Sequence, residues 1–226
     1  MSRVIKICEV AFRRPGMAVE DFQAYWRHTH GPIVARIPGI RRYVQCHPNT
    51  AGYARGELAC DGVAEIWVDD KEALRAMSQT AEFAAAKRDE PNFIDGDRLV
   101  ELLTEEVVIK DGPIPANGIK SISLLKFKTG VDPAAARRYW RQNHGPIAAG
   151  IETLRRYVQC QVRLGAYRKA EPPAFDGLAM AWFDDIDDMR KSGASNIYAQ
   201  VKADEVNFLE PGRIGTILTR EHVVIG

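Results

Sequence analysis

Apolar and polar residues follow two different periods along this chain, and the order of those periods occurs twice. Val4 to Phe12 is an apolar-rich run of strand length. Beyond a turn at Arg14-Pro15-Gly16, Phe22, Trp26, His30, Ile33 and Ile37 step by four, four, three and four. That spacing sets them on one face of a helix spanning Val19 to Ile37. Pro32 has no amide hydrogen and disfavours the α region at Gly31, so the helix is expected to end or kink just beyond His30. Ile40 to His47 alternates with period two: Ile40, Arg42, Val44 and Cys46 share one face, and Arg41, Tyr43, Gln45 and His47 the other. Arg42 spoils a clean apolar face, so the direction of each face stays open. Gly62 to Val68 forms a third strand, after a loop (Pro48 to Asp61) rich in Gly, Ala and Asn. Asp69-Asp70 offers an N-cap to a helical region running toward Arg88 with a break near Ser78 to Thr80. Arg98 to Ile109 closes the half, and so long a strand requires a bulge or bend.

The second half repeats the first. Tyr25-Trp26-Arg27-His28-Thr29-His30-Gly31-Pro32-Ile33 returns as Tyr139-Trp140-Arg141-Gln142-Asn143-His144-Gly145-Pro146-Ile147, and Arg41 to Cys46 returns as Arg155 to Cys160. Both matches share one displacement. Later landmarks shift by one more position: Trp67 matches Trp182, Asp69-Asp70 matches Asp184-Asp185, and Asp89-Glu90-x-Asn92-Phe93 matches Asp204-Glu205-x-Asn207-Phe208. A period this long suits a duplicated domain rather than a solenoid. The Gly- and Pro-containing stretch 111–118 reads as a linker between repeats 1–110 and 119–226. Each repeat has the βαββαβ order of a ferredoxin-like unit. Helices cover one face of its sheet, and the other needs a cover that a second copy can supply. The expected architecture is α+β, an intramolecular pseudo-dimer whose two sheets close toward a barrel with helices outside.

Composition narrows the function classes. Of 226 residues 46% are hydrophobic and 27% charged, and a net charge of +1 gives no general pull toward nucleic acid or anionic membrane. No signal peptide or apolar span is visible, and the four Cys form neither a disulfide framework nor a Cys-x-x-Cys pair. Cytoplasm is the expected compartment, with Cys46 and Cys160 as small buried hydrophobes. Phosphate-binding, dinucleotide and Gly-x-Ser-x-Gly motifs are absent, which leaves no nucleotide signature and no nucleophile legible in the sequence.

The pattern Tyr-Trp-Arg-x-x-His-Gly-Pro, then Arg-Tyr-Val-Gln-Cys-His, then Asp-Glu-x-Asn-Phe resembles the EthD family of dimeric α/β-barrel proteins. The resemblance covers both halves and implies the fold above, with a small-molecule cleft in each half between helices and sheet. Related barrels include polyketide cyclases, lactone isomerases, cofactor-free monooxygenases and haem-binding peroxidases, so fold does not settle reaction.

Of the five His, only His30 and His144 occupy equivalent positions. Each reads either as a core histidine bonded to backbone or as an acid/base group in a cleft opened by the kink, its charged form favoured by a helix C-terminus. His28 and His30 form a His-x-His, but residues two apart on a helix diverge, and no metal is expected. His28 becomes Gln142 and His47 becomes Gln161, so the first half keeps the richer set. His47, Tyr43 and Gln45 share a strand face, as do Tyr157 and Gln159; they either orient a carbonyl or phenolic ligand or satisfy each other and loop backbone. Trp26 and Trp140 read as core that walls the cleft. Asp89 and Asp204 read as solvated charge or caps.

The resulting expectation is a cofactor-independent lyase, dehydratase, cyclase or isomerase acting on a small aromatic, polyketide-like or carbonyl metabolite. His30 is the principal proton carrier, and His47, Tyr43 and His144 are further catalytic candidates. Trp26, Gln45, His28, Tyr157, Gln159 and Trp140 are the candidate substrate contacts, and the protein works as a monomeric pseudo-dimer or a homodimer. Two alternatives stand beside it: a non-catalytic small-molecule-binding accessory protein, and a cofactor-free monooxygenase of phenols.

Overall fold

In the computed structural model, which describes residues 4–226, the order strand, helix, strand, strand, helix, strand holds in both halves. Met1 to Arg3, which entered the reading of the N-terminus, lie outside the described residues. The first half comprises β1 (Ile5–Ala11), α1 (Val19–Tyr25), α2 (Gly31–Val34), β2 (Arg42–Pro48), β3 (Gly62–Val68), α3 (Lys71–Met77), α4 (Ala81–Asp89) and β4 (Val100–Lys110). The second comprises β5 (Ile119–Leu125), α5 (Pro133–Tyr139), α6 (Gly145–Ala149), β6 (Arg156–Val162), β7 (Gly177–Phe183), α7 (Ile186–Gly193), α8 (Asn196–Glu205) and β8 (Gly215–Ile225). The hydrogen-bonded strand order is β1-β3-β2-β8-β5-β7-β6-β4, a closed barrel. Long β4 carries the required irregularity, a register shift between Val108 and Lys110 opposite β6.

Local chemistry sets the element boundaries. Asp70 accepts from Ala73 N at 2.8 Å to start α3, and Thr80 caps α4 through Phe83 N at 3.2 Å, so the break between them is a cap rather than a kink. Asp185 and Ser195 do the same for α7 and α8.

By compactness the chain divides into Met1–Leu103 with Glu221–Gly226, and Thr104–Arg220. In the first unit β3 lies between β1 and β2, pairing antiparallel with both. Its helix-facing side contributes Ile7, Tyr43, Ala64 and Ile66 to a core with Phe22, Trp26, Val34 and Phe93. This fixes the direction left open by the sequence: Tyr43, Gln45 and His47 face the helices. Across the sheet, Lys6 pairs with Glu65 at 2.6 Å, and Cys46 Sγ donates to Glu65 Oε1 at 2.9 Å. Cys46 is therefore a polar partner as well as a buried thiol. In the second unit β7 lies between β5 and β6 in the same way, with Trp140 and Phe208 in one core cluster and Tyr157 in another.

One expectation is overturned. The helix neither ends nor kinks out of the α region after His30, because Gly31 is helical at φ −52°, ψ −50°. Trp26 to His30 form instead one π turn, in which Gly31 N–H bonds to Trp26 O five residues back, and Trp140 to His144 repeat it. The wider turn takes up Pro32, which has no N–H for the carbonyl four residues earlier and would crowd it in an α-helix. Beyond it Val34 and Ile37 are buried in the core, with Ile33 partly buried against it.

Candidate functional site

His30 lies at the last position of the π turn, 6% exposed, with its ring against Phe93. Its Nδ1 is 2.8 Å from Asp89 Oδ2 at the end of α4. The other oxygen of Asp89 accepts from Tyr25 OH at 2.8 Å and from Asn92 Nδ2 at 3.0 Å. Burial works against charge on Asp89, yet the bonds from His30, Tyr25 and Asn92 prevail and hold its pKa below the usual carboxylate range. An ionised carboxylate only accepts, so Nδ1 carries the hydrogen and Nε2 keeps its lone pair. Burial lowers the pKa of His30 against the opposing pull of Asp89, which makes the imidazole a neutral base. The favoured imidazolium expected at a helix C-terminus is therefore not found: the helix continues past His30, and burial outweighs the remaining attraction.

The second unit builds the same cluster. His144 Nδ1 meets Asp204 Oδ2 at 2.9 Å, Tyr139 OH donates to Asp204 Oδ1 at 2.6 Å, and Asn207 Nδ2 donates to it at 2.9 Å. Burial lowers His144 as it does His30.

A second network sits under the π turn. Gln45 Nε2 donates to Trp26 O and to Tyr43 OH, both at 3.0 Å, and Trp26 Nε1 donates to Tyr43 OH at 3.0 Å. Gln45 Oε1 faces His47 Nε2 at 3.0 Å, which places the hydrogen on that nitrogen. The indole of Trp26 stacks on His47, with centroids 4.7 Å apart, and His222 meets His47 edge-on at 4.7 Å. Burial, with His222, Arg27 and His28 adding, drives the pKa of His47 to about 3, so it is neutral across the working range. Burial likewise raises the phenol of Tyr43. In the second unit Gln159 bonds Trp140 O at 2.9 Å, Trp140 Nε1 bonds Tyr157 OH at 3.1 Å, and Gln161 replaces His47. The hydrogen bonds of Gln45 and Gln159 run to neighbouring side chains of this strand face and to helix backbone.

His30, Trp26, Tyr43, Gln45 and His47 are thus gathered between helix and sheet, while His28 is exposed, as is its counterpart Gln142. Sequence reasoning missed Asp89, Asp204, Tyr25, Tyr139, Asn92 and Asn207. The signal was present, since every one recurs in both halves, but no local spacing ties residue 25 to residue 89. Among the described residues Cys46, Glu65 and Glu221 are the one group close enough for a metal, and Lys6 already neutralises Glu65. That group includes neither histidine of the His-x-His, of which His28 is exposed and His30 buried. Among the described residues no helix is long and apolar enough to cross a membrane.

A family model described as EthD domain matches residues 14–97 and again 128–212. No curated protein matches the chain. Among solved structures, an anthrone oxidase-like protein superposes with a TM-score of 0.67 at 9% identity, over 99% of this chain and 94% of that one. A mutant chlorite dismutase from Candidatus Nitrospira defluvii gives 0.56 at 13% identity, over 99% and 93%. Both share the fold. An EthD family protein from Bacillus halodurans is 26% identical over 46% of this chain and 99% of that one, with a TM-score of 0.39.

Proposed function

The chain belongs to the EthD domain family, carrying the domain twice, and from that premise we propose that it is an acid/base enzyme acting on a small aromatic or carbonyl metabolite. The observation that carries the reading is the oriented His30–Asp89 pair at 2.8 Å. A carboxylate on Nδ1 fixes the tautomer and leaves Nε2 to take a proton, the arrangement general bases use. Proton abstraction beside a carbonyl, elimination, dehydration or isomerisation all need such a group and no added cofactor. Phe93 packs against the imidazole of His30 and gives it an apolar, aromatic surround. His144 with Asp204 can perform the same step in the second unit.

A binding module without turnover is the second reading. It is favoured by the state of Tyr43 and Gln45, whose polar atoms are engaged within the protein. Phenols, aryl ketones and polyketide-like lactones screened by thermal shift, with mass analysis of every hit, separate the two. Conversion by wild type that disappears in His30→Ala, with binding retained, supports catalysis. Stabilisation without conversion, equal in wild type, His30→Ala and His144→Ala, leaves the binding module. Turnover that stops when oxygen is removed would move the reaction to oxidation, as the name of the anthrone oxidase-like structure invites.

A further inference from the structure

One partly exposed acid takes no part in either network. Glu9 lies in β1 on the side that carries Ile5, Ile7 and Ala11 into the helix-packed core. The pairing register places Glu9 opposite Ala64, and Ala64 opposite Gln45, so the three form a row across β1, β3 and β2. Ala64 is the residue between Glu9 and Gln45 in that row. Glu9 is partly exposed on a strand flanked by β3 and β4, and among the described residues its carboxyl has neither a hydrogen bond nor a salt bridge.

Its surroundings disfavour charge. Lys87 of α4 is held by Glu90 at 2.8 Å and Glu101 at 2.7 Å, which leaves two further carboxylates near Glu9 and no cation committed to it. Burial foremost, then Glu101 and Glu90 against Lys87, raise the pKa of Glu9 to about 8. Glu9 in turn acts on Tyr43, and Lys87 acts on both Glu9 and His30, so the group shares the electrostatic surroundings of the first site.

The second unit lacks this feature. Ser123 replaces Glu9 in the same register, opposite Ala179, which is opposite Gln159. Thr216 replaces Glu101, and the two hydroxyls bond each other at 2.9 Å. The Lys202–Glu205 ion pair is retained. One copy therefore presents a carboxylic acid where the other has closed the position with a hydroxyl pair.

We propose that Glu9 is a ligand-contacting acid of the first unit, set on its strand face to donate a hydrogen bond to the carbonyl oxygen of an aryl ketone or related ligand, and that it makes the first unit the working copy. A neutral acid donates where a carboxylate would repel the same oxygen. Joined to the acid/base reading, on which this step rests, the consequence is enolisation. The C–H bond beside the carbonyl breaks, Nε2 of His30 takes the proton, the electron pair moves to the oxygen, and that oxygen takes the proton of Glu9.

Calorimetric titration of the full chain with acetophenone and benzophenone, from pH 6 to 9.5, tests the contact without requiring turnover. Wild type should bind and lose at least tenfold in affinity across that range. Glu9→Gln, which keeps a neutral donor, should bind as wild type does at pH 6 and show no pH dependence. Glu9→Ser, which copies the second unit, should bind at least tenfold more weakly at pH 6, and Ser123→Ala should match wild type. The proposal is overturned if wild type binds neither ketone, if Glu9→Ser binds as tightly as wild type, or if the pH dependence survives in Glu9→Gln. Because no conversion is read, a failed acid/base mechanism and a failed Glu9 contact give different results. Retained circular dichroism and thermal midpoints show that each variant is folded.

Discussion

Asp89 Oδ2 stands 2.8 Å from His30 Nδ1 across 59 residues of sequence, and Asp204 repeats the contact with His144 at 2.9 Å. The π turn and the end of α4 are thereby tied at one point. Tyr25, one turn before His30, reaches the same carboxylate and joins α1 to it. A carboxylate with bonds on both oxygens has little freedom to rotate, so the imidazole it holds is fixed in tautomer and direction.

Replacing that carboxylate by an amide is the sharpest test of its role. Asp89→Asn preserves size but offers Nδ1 a neutral partner that can also donate. Turnover should fall by about 10²–10⁴-fold, as when the carboxylate behind a catalytic imidazole is removed. Stability should fall by only about 1–3 kcal/mol in urea denaturation, the cost of disturbing one buried hydrogen-bonded group. If the first unit is the working copy, Asp204→Asn should cost similar stability and much less turnover. Equal turnover in wild type and Asp89→Asn would reduce the pair to a structural tie.

The strands, the doubled βαββαβ order and the position of His30 were legible because each follows from a period of two or near four within a few residues. The π turn was not. Gly-Pro signals trouble for an α-helix, and both a stop and a widened turn relieve it; the choice fell to Gln45, which anchors Trp26 O from the sheet. The His30 partner was hidden for a different reason. Asp89 sits at a helix end where an acid usually faces water, and only the tertiary fold brings Tyr25 and Asn92 to it. Glu9 was overlooked because one acid in an apolar strand leaves no periodic trace, although its replacement by Ser123 in the second copy could have marked it.

Acid should loosen both units. Burial depresses His30 and His144 below the ordinary 6.5, so the unfolded chain takes up those protons first. Their contribution is present above that value and is lost as pH falls through the depressed range. Asp89 and Asp204, also held low, extend the loss further into acid. Urea midpoints measured from pH 7 down to 4 should decline, and the decline should be shallower in His30→Gln/His144→Gln. An unchanged acid limb in the double variant would mean that other groups carry it.

Glu9 predicts the opposite slope. Its carboxyl is raised from 4.5 to about 8, so the folded state keeps a proton that the unfolded chain has released. Its contribution is full below 4.5 and is lost as pH rises toward 8, by up to about 1.4 kcal/mol per pH unit for a single proton. The groups facing it are Glu101, Glu90, Lys87 and Tyr43. Glu9→Gln cannot titrate, so its stability relative to wild type should grow from pH 5 to 8 and level off above. A difference that is flat with pH would place Glu9 in contact with water or with an unseen cation, at an ordinary pKa.

Gly62 tests how tightly the aromatic floor of the first site is packed. A methyl group there would overlap the indole of Trp26 and come within 3.0 Å of Cys46 O. Neither neighbour yields easily, since the indole is stacked on His47 and bonded to Tyr43, and the carbonyl belongs to β2. Gly62→Ala should therefore destabilise by about 1–3 kcal/mol, the usual cost of overpacking a core. Gly177→Ala should do the same in the second unit, where the added carbon would lie 2.7 Å from Trp140. The mechanism makes a further demand that a general strand defect does not. In Gly62→Ala/Trp26→Phe the smaller ring leaves room for the methyl group, so the combined loss should be less than the sum of the two single losses, by at least 0.5 kcal/mol on the scale typical of contacting pairs. Additive losses in that double-mutant cycle would show that the indole does not rest on Gly62, and the tight floor beneath His47 would have to be redrawn.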